Sequence, residues 1–263
     1  MGSEMCIRDR LYLIGLFFIV AVLYAAVGFG GGSTYNALLV LNGTDYRILP
    51  AIALACNIVV VSGGVWRFSR EKLLDVKALL PFLLASIPSA WIGGRLPISE
   101  TVFIGLLGGA LLISGLRLLL QRDFVSEAKD KRSIPSWLAG LTGGGIGFLS
   151  GLVGIGGGIF LAPVLYSLRW DTPRKIAAAC SLFILVNSVA GLSGQAMKLS
   201  DSQILSLAIP YWPLLLAVFM GGQIGSWMAS RRFDPVVLKR LTAGLILYVA
   251  LRLIFRWVGL LDI

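Results

Sequence analysis

Apolar residues run along this chain in long blocks, without the polar face that a soluble amphipathic helix shows. The blocks cover residues 11–42, 48–66, 78–94, 102–120, 136–168, 176–196, 204–229 and 237–260. Most are close to the roughly twenty residues that a helix needs to cross about 30 Å of hydrocarbon. The pattern predicts an all-α integral membrane protein with about eight apolar segments. Two blocks do not fit that count. Residues 11–42 number 32, too many for one crossing and short of the forty or so that two would take. This block and its counterpart at 136–168 are each interrupted by a glycine run, Gly28-Phe29-Gly30-Gly31-Gly32 and Gly154-Ile155-Gly156-Gly157-Gly158. A glycine inside a helix costs up to about 1 kcal/mol relative to alanine, so runs this dense predict turns. In hydrocarbon every backbone N–H and C=O needs a partner, and a broken helix persists only where it is buried in protein or lines a polar cavity. Paired breaks in two halves are the pattern of a transporter's substrate site.

The halves align. Gly28, Gly30, Gly31 and Gly32 match Gly154, Gly156, Gly157 and Gly158; Ala55-Cys56 matches Ala179-Cys180; Gly93 matches Gly225; Gly109 matches Gly244; and Leu116-Arg117-Leu118 matches Leu251-Arg252-Leu253. The expected organisation is a polar leader at 1–10, excluded from the fold as a non-native or disordered remnant, a first transmembrane repeat at 11–120, a cytoplasmic linker at 121–135 and a second repeat at 136–263. The run after the leader recurs from Ser136, inside the chain, so it is read as a span and not as a cleaved signal.

Charge then sets the topology. Four basic clusters, Arg67 to Lys77, Arg117 to Arg132, Arg169 to Lys175 and Arg231 to Arg240, hold 16 of the 23 lysines and arginines. They share one side if each glycine-broken segment enters and returns to the side it came from, giving each half an odd number of crossings. Short basic loops face the cytoplasm, so the second repeat is expected to be inverted relative to the first, with each repeat beginning in a re-entrant helix.

Composition agrees, with 57% hydrophobic and 14% charged residues. The net charge of +10 sits in the short loops, not on a stripe with exposed aromatics, so no nucleic-acid partner is expected. Cys56 and Cys180 stand singly in apolar runs, without metal or redox spacing, and read as buried thiols. The chain has no histidine, and all 13 carboxylates lie in the leader, loops or tail. Histidine catalysis, histidine metal sites and intramembrane proton relays therefore have no residues to run on. No catalytic residue, metal or cofactor is expected.

What a glycine turn offers is a row of free N–H groups where the next helix starts, reinforced by the partial positive charge of the helix dipole, and such ends bind anions. The candidate substrate-binding residues are Gly28, Gly30, Gly31 and Gly32 with the hydroxyls of Ser33 and Thr34, and Gly154, Gly156, Gly157 and Gly158. The second copy has Ile159 and Phe160 where the first has Ser33 and Thr34, so the half-sites differ chemically. Asn57, its counterpart Ser181, and Asn187 add polar groups within the spans. Such amides usually face protein and not lipid. The competing reading is that the glycines only let helices cross tightly and the amides only tie helices together. Glycines spaced four apart, Gly143 with Gly147 and Gly151, Gly105 with Gly109, and Gly221 with Gly225, read as packing strips. Arg252 and Arg256 read as snorkelling residues, and Arg95 as a charge at one mouth.

With these residues in view, the chain resembles the TauE/SafE family of sulfite exporters over about Leu11 to Leu261. The doubled glycine motif carries the resemblance, most clearly from Leu141 to Pro163, together with the small-residue run Ala177 to Ser181. The first copy departs from the second, with Ala37 where Pro163 stands. The resemblance implies a transporter of small sulfur-containing anions such as sulfite or organosulfonates, exporting across the plasma membrane, in a bacterium the inner membrane. A negative interior favours anion exit by about 2.3 kcal/mol per charge per 100 mV, so export needs no proton relay. The implied partners are the anion and the lipid bilayer. A homodimer is left open, as are a non-transporting partner subunit and, with less support, an integral membrane enzyme.

Overall fold

The computed structural model describes residues 7–120, 134–199, 206–230 and 235–261. Its helices are α1 (Ile7–Ala26), α2 (Gly32–Leu41), α3 (Leu49–Arg70), α4 (Val76–Arg95), α5 (Glu100–Leu120), α6 (Ser136–Val153), α7 (Gly158–Ser167), α8 (Pro173–Lys198), α9 (Trp212–Ser230) and α10 (Pro235–Leu261), with a short 3-10 turn before α9. No strand occurs among the described residues. Both glycine runs break the chain where expected, splitting each long apolar block into a longer and a ten-residue helix. α1 opens at Ile7, inside the polar leader, ahead of the apolar run that starts at Leu11. Most of the linker at 121–135 lies outside the described residues.

Six of the helices, α3, α4, α5, α6, α8 and the Thr242–Leu260 part of α10, are long and apolar enough to cross a membrane. Local signals set several of their ends. Asp75 caps α4, its carboxylate accepting from the Ala78 N–H at 3.1 Å, and Pro50 and Pro173 sit in the first turns of α3 and α8, where a missing N–H costs nothing. In the α2–α3 loop the Arg47 guanidinium grips Asp45 at 2.6 Å, a hydrogen bond that holds the Asp45 carboxyl below the usual carboxylate range.

Helix directions follow from which residues meet. Gly143, Gly147 and Gly151 of α6 lie in turn against Phe82, Ser86 and Ala90 of α4, so α4 and α6 are parallel. A side chain on Gly151 would overlap the Ala90 carbonyl oxygen, and the strip is packing, as expected. Gly221 and Gly225 of α9 lie against Phe18 and Val22 of α1 in the same parallel sense. α9 also runs with α3, Gly222 meeting Val60 and the Ser226 carbonyl accepting from the Arg67 guanidinium. α8 runs with α4, Gly191 near Ala90 and Gly194 against Trp91 and Arg95. By contrast α3 and α8 are antiparallel, Leu54 meeting Gly191 and Gly64 lying beside Ser181. α5 and α10 are antiparallel too, with Gly105 on Trp257 and Gly115 on Leu247. Gly109 has nothing within 4 Å of where its side chain would be. It is not part of a packing strip, because α10 crosses α5 along the face that carries Gly105, Gly108 and Gly115 instead.

Exchanging α1–α5 with α6–α10 turns each of these contacts into another. The pair α4/α6 becomes α9/α1, α4/α8 becomes α9/α3, and α3/α8 and α5/α10 map onto themselves.

Candidate functional site

Each broken helix ends and restarts by the same backbone device. At the end of α1 the Phe29 N–H donates to the Tyr24 carbonyl at 2.8 Å and the Gly28 N–H to that of Ala25 at 3.2 Å. This is a Schellman ending, which needs a left-handed residue, and Gly28 has φ +83°. At the end of α6 the Ile155 N–H donates to the Ser150 carbonyl at 3.2 Å, with Gly154 left-handed at φ +77°. α2 and α7 then start from Gly31 at φ +89° and Gly157 at φ +81°. Glycine is required here because other residues pay roughly 1–2 kcal/mol for this conformation. The N–H groups of Gly32 and Ser33, and of Gly158 and Ile159, find no acceptor among the described residues.

The two turns meet at one place, between α3 and α8. A side chain on Gly30 or Gly32 would run into the Asn57 amide, and one on Gly156 would lie 2.7 Å from Asn57 Nδ2 and 2.9 Å from Ile184 Cγ2. Ile184 also fills the space beside Gly30 and Gly158. Asn57 is eight residues into α3 and Ile184 eleven into α8. At about 1.5 Å per residue both lie near the middle of the span. The dipole-positive ends of α2 and α7 therefore converge at mid-depth, with the fully buried Asn57 side chain between them.

Not every candidate arrives there. Gly30, Gly32, Gly156, Gly158 and Asn57 are brought together. Gly28 packs on Ala177 of α8 and Gly154 on Pro50 of α3, each turn bracing against the other half. Gly31 lies under its own helix's Tyr35, and Gly157 faces Phe183 and Ile146. The Thr34 hydroxyl is tied to Tyr24 Oη at 2.6 Å, away from the meeting point, while Ser33 is buried at the start of α2. Ser181 does not take Asn57's place. Its hydroxyl donates to the Gly28 carbonyl at 2.9 Å, and the residue that meets the turns as Asn57 does is Ile184, three positions on. Asn187 Nδ2 donates to its own helix at the Phe183 carbonyl, 2.8 Å.

Two polar groups that sequence reasoning passed over, Asn36 and Ser188, join Asn57 and the intramembrane amide Gln195 here. Asn36 of α2 donates to the Val153 carbonyl at 2.7 Å and the Gly154 carbonyl at 3.3 Å. Asn57 Nδ2 donates to the Ile155 carbonyl at 3.2 Å, and Gln195 Nε2 to the Gly151 carbonyl at 3.0 Å. Three buried amides from three helices thus cap the end of α6. The oxygens of these amides and the Ser188 hydroxyl, beside Gly156, have no partner among the described residues. An amide four residues after Gly32 was the available signal for Asn36. Cys56 and Cys180 are buried free thiols, as expected, and no cluster of potential metal ligands occurs among the described residues. Arg256 does not simply snorkel. It donates to the Val40 carbonyl near the end of α2 and pairs with Glu100 at 3.4 Å, because that carbonyl end of α2 is dipole-negative. Arg95 stacks on Trp91, 4.5 Å from the ring centroid.

Helices interrupted at mid-depth within a bundle of membrane-length spans define a multi-pass membrane transporter. The chain belongs to the sulfite exporter TauE/SafE family, whose model matches residues 13–253. It is 32% identical to Probable membrane transporter protein y4hK of Sinorhizobium fredii over 91% of this chain and 96% of that protein. It is 27% identical to Probable membrane transporter protein YjnA of Bacillus subtilis over 93% of this chain and 98% of that one. No solved structure matches it. The protein is a multi-pass component of the plasma membrane, and its relatives carry the names of transporters, not enzymes.

Proposed function

We propose that this transporter moves small sulfur-containing anions, sulfite or an organosulfonate, out of the cell, binding them at the meeting point of the two glycine turns. One observation carries the reading: two helix N-termini with unclaimed N–H groups converge at mid-depth, a donor-rich, dipole-positive place that suits an anion. The family name supplies the chemical class of that anion.

We also read the halves as inverted repeats. α1 runs with α9 and α9 with α3, so α1 and α3 point the same way and α2 brings the chain back between them; α6, α4 and α8 repeat this. Corresponding helices α3 and α8 are antiparallel, and Glu71 just past α3 pairs with Arg174 at the start of α8 at 2.9 Å. These contacts favour one shared face for the basic loops, which the charge rule makes cytoplasmic. The test is flux through the purified protein in liposomes against a panel of anions. Sulfite or a sulfonate should move faster than chloride or nitrate. Flux no greater than in empty liposomes for every anion would reject the reading and favour a non-transporting partner.

A further inference from the structure

We propose that the site takes its anion in a singly charged form that still carries one O–H, and that the Asn57 carbonyl oxygen is the specificity determinant that selects it. The inference rests on the anion reading above.

Asn57 is fully buried, and its orientation is fixed by its neighbour. Nδ2 donates to the Ile155 carbonyl at 3.2 Å; turning the amide over would set two oxygens face to face. Oδ1 is therefore held against the first turn at Gly30, while Nδ2 is the atom nearer Gly32, and Oδ1 has no donor among the described residues. A buried acceptor in this position is the wrong group for a dianion, which has only acceptors to offer it. The unclaimed N–H groups of Gly32, Ser33, Gly158 and Ile159 are right for the anion's oxygens. An anion bearing one O–H satisfies both, giving its oxygens to the N–H groups and its proton to Asn57. The Ser188 hydroxyl beside Gly156, also unpartnered, can accept or donate as the second half of the site requires.

Charge leads to the same form. Each helix N-terminus carries about half an elementary charge, so the pair offsets about one. The side chains that meet the turns are uncharged: Asn57, Ile184, Ser188, Phe183, Tyr35 and Ala177 among them. A second negative charge would sit in a medium of low dielectric without a counter-charge. Hydrogen sulfite fits these terms; sulfite dianion and sulfate do not, and an organosulfonate meets the charge requirement but has no O–H for Asn57, so of the two substrate classes proposed above the site favours hydrogen sulfite.

The experiment uses the full chain in liposomes with the membrane potential clamped. Total sulfite is held constant while pH is stepped across the conversion of hydrogen sulfite to sulfite. The titratable side chains packed around the turns are Tyr24, Tyr35, Cys56 and Cys180, all neutral near neutrality, and the chain has no histidine. Such a step therefore titrates the anion and not the site. Flux should follow the hydrogen sulfite fraction. On the acid side of neutrality methylphosphonate is a monoanion with one O–H, and methanesulfonate is a monoanion of the same shape without one. Methylphosphonate should compete about tenfold better, the worth of a buried acceptor left unpaired, and Asn57→Ala should bring that ratio close to one. The ratio in the native protein stands as a test even if the variant fails to insert. Sulfite flux that ignores the hydrogen sulfite fraction, with equal competition by the two monoanions, would overturn selection by Asn57 and leave the anion reading standing. No sulfur-anion flux at any pH would overturn both.

Discussion

Gly156→Ala isolates the meeting of the two turns from the general need for glycine in tightly packed helices. Gly156 has φ +84°, where a residue with a Cβ is strained by roughly 1–2 kcal/mol. The added methyl would also lie 2.7 Å from Asn57 Nδ2, 2.9 Å from Ile184 Cγ2 and 3.2 Å from Ser188 Oγ. None of these is the free end of a flexible side chain, since Asn57 is tied to Ile155 and Ile184 is wedged between both turns. Overpacking of this kind costs roughly 1–3 kcal/mol, for a total of about 2–5 kcal/mol. The melting midpoint of the purified protein in detergent should fall by roughly 5–20 °C, with flux in liposomes lost. Gly145→Ala is the matched control. Gly145 lies within α6 with nothing within 4 Å of the new methyl, and helix propensity makes the change neutral or favourable by up to about 1 kcal/mol. If Gly156→Ala melts and transports like the native protein, or Gly145→Ala is damaged as much, the two turns do not meet as described.

Asn36→Ala removes both side-chain donors to the Val153 and Gly154 carbonyls and should cost about 1–3 kcal/mol in the same melting assay, against about 1 kcal/mol for Ser181→Ala. With Cys6 replaced by serine, single cysteines at Arg10, near the start of α1, and at Gly43, in the α2–α3 loop, should label from the same face of the membrane; labelling from opposite faces would reject the re-entrant topology. Transport should be electrogenic, so that in sodium-free liposomes a potential positive on the receiving side accelerates sulfite movement with no pH gradient. Flux that ignored the potential and followed an imposed pH gradient, at fixed sulfite protonation, would require a proton relay that the described spans do not show.

The places where the chain breaks were legible because glycine density acts locally. Gly28 and Gly154 end helices and Gly31 and Gly157 start them for a backbone reason that no tertiary contact needs to supply. The register between the halves was less legible. Matching Ala55-Cys56 to Ala179-Cys180 puts Asn57 opposite Ser181, whereas the contacts put it opposite Ile184. A slip of three residues turns a helix by about 300°, so nearly the same apolar face is kept and similarity alone does not choose between the two. Only the turns, by what they touch, fix the choice. Asn36 escaped notice for a related reason. It lies on the short helix beyond the residues that directly follow the turn, and its partners are 117 and 118 residues away. Arg256 looked like a snorkelling residue because its acceptor, the Val40 carbonyl, belongs to a helix end that exists only once α2 has formed.

The unequal anchoring of the two turns bears on how such a bundle would cycle. Asn36, Asn57 and Gln195 hold the end of α6, whereas among the described residues the end of α1 has one side-chain donor, Ser181, on the Gly28 carbonyl. Where two repeats exchange conformations to open a site to each side in turn, opening at the second turn breaks about three more side-chain hydrogen bonds than opening at the first, Asn36 making two of the four there. At about 1 kcal/mol net for each, the difference is about 3 kcal/mol, or on the order of a hundredfold in population at rest. Half-saturating anion concentrations measured from the two faces of oriented liposomes at zero potential should then differ by tenfold or more, and Asn36→Ala should narrow the gap. Equal values from both faces in the native protein would mean that the amides at the end of α6 stay bonded in every state, making the second turn a fixed support against which the first alone moves.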